Sequence, residues 1–510
     1  MTTRQTSQPA SGTLAGSTHA EDADGATSAE DSGFKKNLKP RQIQMMALGG
    51  AIGTGLFMGA GGRLLGAGPS LAFLYALCGF FVFLILRALG ELILHRPSSG
   101  SFVSYAREFY GEKMAFVSGW LYWFSWAMSA IADVTAVALY MNFFGRYWAP
   151  ISDVPQWVFA LAALVVVLAL NLVSVKVFGE LEFWFALIKV VALVGFLIVG
   201  VFFVIFGTPV DGHTVGFSLI QDNGGWFPNG VLPAVIMIQG VVFAYAGVEL
   251  IGTTAGETEN PAKIIAKSIN AVIFRVAVFY VGSVLLLSLL LPYTAYKAGV
   301  SPFVTFFGSI GWDGADTIMT LVVLTSSMSS LNAGLYSVGR IMHSMAASGS
   351  APRFAGRMNK AGVPYGGIAI TAVVTLLGVV LNAALPNQAF EIVLNFTALC
   401  VLCTWGTIIL CQMRLVALSK KGLLQRPTYR LFGAPYTSYA VLAFLAVILV
   451  LIAFDYPAGT ITVGSLAVAV PLLVIGWFAC RKRIFALAAE RNGVTGPHPV
   501  LADRPLAKKP

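Results

Sequence analysis

The chain has 510 residues, of which 57% are hydrophobic and only 11% charged. Soluble domains carry about 25% charged residues, so a large soluble enzyme is excluded. The net charge of +10 is spread between apolar runs rather than gathered in one patch, which argues against a nucleic-acid partner and reads as membrane topology.

Residues 1–38 are expected to be a disordered cytoplasmic tail, rich in Ser, Thr, Ala, Gly, Asp and Glu, with no cleavable signal peptide. Twelve apolar spans follow, near 42–66, 69–94, 114–144, 155–175, 180–206, 231–255, 265–291, 314–345, 365–385, 390–413, 436–455 and 460–480. Each is long enough to cross the hydrocarbon core of a bilayer. The segment 484–510, with its prolines and lysines, reads as a cytoplasmic tail. The five cysteines (Cys78, Cys400, Cys403, Cys411 and Cys480) fall in or beside apolar runs, so free buried thiols are expected.

Lysine and arginine orient the bundle. With the N-terminus cytoplasmic, the outer loops hold only Arg63, Arg146 and Lys297, while Lys35, Lys36, Arg96, Arg107, Lys420, Arg426 and Arg481 to Arg483 are among the many on the inner side. The positive-inside rule then puts both termini in the cytoplasm.

Spans one and six share an unusual feature. The first carries "GGAIGTGLFMGAG" from Gly49 to Gly61, the sixth "FAYAGVELIGTTAGE" from Phe243 to Glu257. Each interior glycine costs a helix about 0.8–1.0 kcal/mol against alanine. Close helix packing is one reading of such runs. Matching interruptions in two halves that run in opposite directions point instead to an inverted repeat with broken helices at a substrate site. The expected organisation is an all-α polytopic membrane protein of twelve transmembrane helices. Residues 41–229 (helices 1–5) and 230–414 (helices 6–10) form a 5+5 inverted repeat with helices 1 and 6 broken, and 435–483 adds helices 11 and 12. A broken helix offers N–H groups that suit a carboxylate and carbonyls that suit an ammonium, and together they suit an α-amino acid.

"QIQMMALGGAIGTGLF", "LRALGELILHRPSSGSFVSYARE", "FGELEFWFALIKV", "VELIGTTAGETENP" and "SPFVTFF" resemble the amino acid–polyamine–organocation transporters, and within them the bacterial amino acid permeases. The likeness runs from about Gly33 to Arg483. "WAMSAIADVTAVALYM", "MSSLNAGLYSVGR", "FEIVLNFTALC" and "FDYPAGT" are most similar to members that carry L-asparagine; relatives for D-serine, alanine and glycine share many of these motifs. The resemblance implies a multi-pass protein of the bacterial cytoplasmic membrane that imports L-asparagine with protons, with alternating access. It implies no cofactor beyond the proton gradient, and substrate, protons and lipid as partners, with no nucleic acid. An exchanger and a non-transporting amino acid sensor are the rival readings.

Carried onto this sequence, the resemblance puts the substrate carboxylate on backbone N–H groups of Gly53, Thr54 and Gly55. The ammonium would meet carbonyls of Ala51 and Ile52 and of Ala244, Tyr245 and Ala246 beside Gly247, with Phe243 as an aromatic gate. Lys189 sits mid-span, nearly ten residues from the start of its helix, where a charge costs about 2.5–3.5 kcal/mol on insertion scales. Proton coupling, a static ion pair and snorkelling are its three readings. Glu249, just past the sixth-span break, is expected either to partner Lys189 or to cap freed N–H groups. Arg87 and Glu91, one turn apart, read as a structural pair. Asp133, Asn332, Ser329, Thr397 and Thr404 are intramembrane candidates for reading a substrate amide, which needs both a donor and an acceptor. No phosphate loop, metal-ligand cluster or Ser/His/Asp constellation is evident, so neither an enzyme nor a metal site is expected.

Overall fold

The computed structural model describes residues 52–98, 100–173, 175–253, 261–384 and 389–495. Ala51 and the expected tail at 1–38 lie outside them. Among the described residues the chain is helical throughout, with a single isolated bridge between Val210 and His213 and no strand.

The first expected span appears as two short pieces, α1 (Thr54–Phe57) and α2 (Gly59–Ala67). They lead into α3 (Leu71–His95), a short, largely buried helix α4 (Ser101–Tyr110), and the long α5 (Glu112–Met141), α6 (Gln156–Val173) and α7 (Val175–Phe206). The sixth span is also fragmented, into α8 (Val231–Ile236), α9 (Ile238–Ala244) and α10 (Leu250–Thr253). The seventh comprises α11 (Pro261–Arg275), a π-helical stretch at Val276–Gly282 and α12 (Ser283–Leu290). A short α13 (Pro302–Ser309) precedes α14 (Ala315–Ala347), α15 (Tyr365–Ala384) and α16 (Ala389–Lys420). The chain closes with α17 (Tyr436–Ile452) and α18 (Ala458–Thr495), which continues twelve residues into the segment expected to be tail.

Among the described residues nine helical stretches are long and apolar enough to cross a membrane. The shortfall from twelve has physical causes. The pieces α2 and α3 run on as one stretch, Gly59–His95, the broken sixth span leaves only the shorter apolar run Val231–Ala244, and the eleventh is the shorter apolar helix Tyr436–Ile452. Helices α5, α14 and α16 form the centre, α5 packing on both others and on α6 and α15. No residue in the apolar window of α18 is buried, as suits a helix at the edge of the bundle facing lipid. All five cysteines are free, with Cys78, Cys400 and Cys411 buried.

Each end of the bundle is tied by charge. At one end Glu91 of α3 accepts two hydrogen bonds from Arg426, at 2.5 and 3.1 Å, one from Gln412 at 3.0 Å and one from the Leu431 N–H at 2.9 Å. Arg87 donates to the Arg430 carbonyl at 2.7 Å and lies over the Tyr429 ring. The expected Arg87–Glu91 pair is therefore not formed; both side chains reach out to clamp the loop between α16 and α17. At the opposite end Arg63, expected in an outer loop, lies inside α2 and is only 5% exposed. It is paired with Glu391 in the first turn of α16. Nearby, the side-chain amides of Gln239 and Asn395 both donate to Asp455, at 2.9 and 3.0 Å.

Breaking one partner of a buried pair costs about 3–5 kcal/mol, because it strands the other charge. Arg426→Ala is expected to lose stability near the lower end of that range, since Gln412 and Leu431 still serve Glu91. A lowered unfolding temperature of the purified protein in detergent is the readout.

Candidate functional site

The two interrupted helices meet at the centre. Gly53 has an extended backbone (φ −128°, ψ −163°), and its carbonyl accepts the N–H groups of Leu56 and Phe57 at 3.2 and 3.3 Å. The N–H groups of Gly53, Thr54 and Gly55 and the carbonyl of Ile52 find no partner among the described residues.

In the sixth span the chain unwinds between α9 and α10. Gly247 turns it in the left-handed region (φ +93°), where a side chain would be strained. Three of the carbonyls here are occupied. Phe243 accepts from the Ala246 N–H at 3.0 Å, Tyr245 from Val248 at 3.4 Å, and Ala244 from the Tyr280 hydroxyl at 3.3 Å. The Ala246 carbonyl is left open among the described residues. The Tyr245 side chain turns away from the break, donating to the Tyr75 carbonyl at 2.9 Å and stacking on Tyr280.

The two breaks touch backbone to backbone. A Cβ built on Gly55 would sit 2.6 Å from the Ala244 Cα and 3.0 Å from the Phe243 ring. Phe243 is buried beside this contact and meets Phe390 edge to face. The glycine at 55 is thus both a packing residue and part of the break, so the two readings of the motif hold together.

A polar network lies against the first break. The Thr54 hydroxyl donates to Asp133 Oδ1 of α5 at 2.6 Å and lies 3.2 Å from the Ser327 hydroxyl of α14. Lys189 Nζ of α7 donates to the Ser329 hydroxyl at 2.9 Å, which donates in turn to Glu182 Oε1 at 2.7 Å. Glu182 and Asp133 are the carboxylates that act electrostatically on the Lys189 ammonium. Asn171 of α6 donates to both the backbone and side-chain oxygens of Asn332, at 2.8 and 3.0 Å.

The sequence-predicted residues separate into groups. Ile52 to Gly55 and Phe243 to Gly247 converge, and Asp133 joins them through Thr54. Asn332 stands on the Lys189 side of the network, with its side-chain carbonyl taken by Asn171. Thr397 and Thr404 donate to the carbonyls four residues back in their own helix, Val393 and Cys400. Glu249 does not pair with Lys189. Its carboxylate accepts the Gly247 N–H at 3.2 Å and the Trp405 indole N–H at 3.4 Å, the local cap that unwinding calls for. Glu182 was not among the predicted site residues. Its signal was available: it precedes Lys189 by seven residues, two turns along one helix face.

A bundle of long apolar helices with two broken helices meeting at its centre suits a polytopic membrane permease. A family model described as "Amino acid permease" matches residues 42–484. "L-asparagine permease 1" of Mycobacterium tuberculosis is 59% identical over 480 residues, covering 94% of this chain and 97% of the relative. "L-asparagine permease" of Escherichia coli is 57% identical over 456 residues, covering 89% and 91%. "L-asparagine permease" of Streptomyces coelicolor is 52% identical over 464 residues, covering 91% and 94%. The chain belongs to the amino acid permease family, and it is a multi-pass protein of the cell membrane.

The geometry distinguishes two neighbouring glycines. A Cβ on Gly53 would meet only Ser330 at ordinary contact distances, 3.6 and 3.8 Å. Gly55→Ala has backbone in its way and is expected to destabilise by about 1–3 kcal/mol, as overpacked cores do. Gly53→Ala should leave stability near wild type. Paired unfolding curves in one detergent check the difference.

Proposed function

We propose that this permease imports L-asparagine across the cell membrane by proton symport. The observation that carries the substrate is the set of relatives named for L-asparagine, each more than half identical across nearly the whole chain. In this reading twelve spans form a 5+5 inverted repeat, 41–229 and 230–414, followed by two helices within 435–483. The distribution of lysine and arginine puts both termini in the cytoplasm.

The substrate carboxylate takes the open N–H groups of Gly53, Thr54 and Gly55, at the start of the helix that follows the break. Its ammonium takes the open carbonyls of Ile52 and Ala246, with Ala51 next in line; Phe243 covers the substrate from one side. These backbone groups fit any α-amino acid, so selectivity for a carboxamide falls to side chains around Asp133 and Thr54. Alternating access follows from movement of the broken helices against the α5, α14 and α16 core. Lys189 and its neighbours supply the proton coupling; no resident cofactor is called for.

Labelled L-asparagine uptake into proteoliposomes tests this, with and without an inward proton gradient and with competing amino acids. Gradient-driven accumulation blocked mainly by asparagine is the expected result. Equal competition by D-serine, glycine and alanine would change the substrate. Uptake that needs internal amino acid and ignores the gradient would make the protein an exchanger. Lys189→Ala is expected to lose gradient-driven accumulation while keeping binding or exchange. Normal accumulation by that variant would remove the coupling role.

A further inference from the structure

We infer that Glu182, bridged to Lys189 by the Ser329 hydroxyl, forms with Asp133 a triad that holds the transported proton; the inference rests on the symport reading above. The observations are geometric. Lys189, Glu182 and Asp133 come from two helices, α7 and α5, and all three are almost wholly buried. The Lys189 ammonium donates to Ser329 and Ser329 donates to Glu182 Oε1. Asp133 is close enough to act electrostatically on the ammonium, and it accepts the Thr54 hydroxyl of the broken helix at 2.6 Å. The second oxygens of Glu182 and Asp133 make no hydrogen bond among the described residues.

Charge arithmetic then sets what the triad does. One ammonium and two carboxylates leave an excess negative charge when all are ionised, and buried net charge is costly. Adding one proton makes the group neutral. The other charged residues of α7, Lys176 and Glu180, lie beyond Glu182 from Lys189. Those of α14, Asp316 and Arg340, lie more than two turns from Ser329. On α5 Glu112 and Lys113 are at the far helix end, while α6 carries no charged residue between Gln156 and Val173. The triad is thus the local centre of charge, and it carries a single exchangeable proton.

The proton has a route within the group. As a Lys189 N–H bond breaks, the Ser329 oxygen gains that hydrogen and releases its own to Glu182 Oε1. An ammonium–carboxylate pair becomes a neutral amine and a neutral acid, with no other bond changed. Asp133 links this store to the substrate: a carboxylate seated on the Thr54 N–H sets a second anion beside Asp133, so substrate and proton arrive together. Glu182 acts through Lys189 and is a positioning and proton-storing residue rather than a substrate contact.

The test uses the full-length protein in proteoliposomes, with a pH-sensitive dye inside and L-asparagine as the probe. Wild type should take up protons with asparagine. Glu182→Gln, which keeps shape and removes the proton site, is expected to lose gradient-driven accumulation and the pH dependence of uptake while retaining asparagine counterflow. Ser329→Ala leaves every charge in place and should slow accumulation but spare counterflow. Accumulation by Glu182→Gln equal to wild type would overturn the triad and leave symport standing. So would accumulation and counterflow falling together in Glu182→Gln with Ser329→Ala unaffected, the pattern of a merely structural residue. Asparagine uptake by wild type without proton movement would overturn the symport reading itself.

Discussion

Everything at the centre of this molecule depends on two broken helices touching through their backbones. The contact between Gly55 and Ala244 leaves no room for a side chain. It sets the backbone of the first break directly against that of the second. A regular helix would satisfy all of its backbone groups internally and offer a ligand nothing. Unwinding frees them, and only a contact this close lets both sets face one small solute.

The charges obey the same constraint. A buried ion needs a partner, and the structure meets that need separately in three places. Glu91 is satisfied by Arg426, Gln412 and a backbone N–H from the loop after α16. Arg63 is satisfied by Glu391 at the other end. Lys189 lies between, shared by two carboxylates. The end clusters cross-link helix α3 or α2 to the α16 region, and so tie the broken-helix half of the bundle to its central helices. The middle cluster is of another kind, because its charges do not cancel.

Much of this was legible in the sequence. Hydropathy placed most of the described helices close to the expected spans, though α16 and α18 run 7 and 15 residues past them, and glycine spacing located both breaks. The side-chain partners were harder to read. Arg87 and Glu91 look like a pair because they are one turn apart, yet a loop more than three hundred residues away supplies better geometry for both. Arg63 looks like a loop residue because charge so near a span end reads as topology. Its burial is set by Glu391, which no local pattern connects to it. Glu249 shows the limit most clearly: its capping role was one of two readings, and only the path of the unwound chain brings the Gly247 N–H to its carboxylate. Periodicity reports which residues share a face; it carries no information on which distant element covers that face.

In the proposed reading, the backbone groups at the two breaks would recognise what all α-amino acids share, while side chains would set the choice among them. Gly55, where a side chain would meet the Ala244 backbone, holds the two breaks together. Thr54 belongs to both systems. Its N–H is one of the open backbone donors, and its hydroxyl is bound to Asp133. Were the proposed substrate to settle on the first, it would sit beside the second, since the same residue carries both. Under that proposal, coupling needs no long pathway: one residue at a helix break would join the substrate site to the buried cluster.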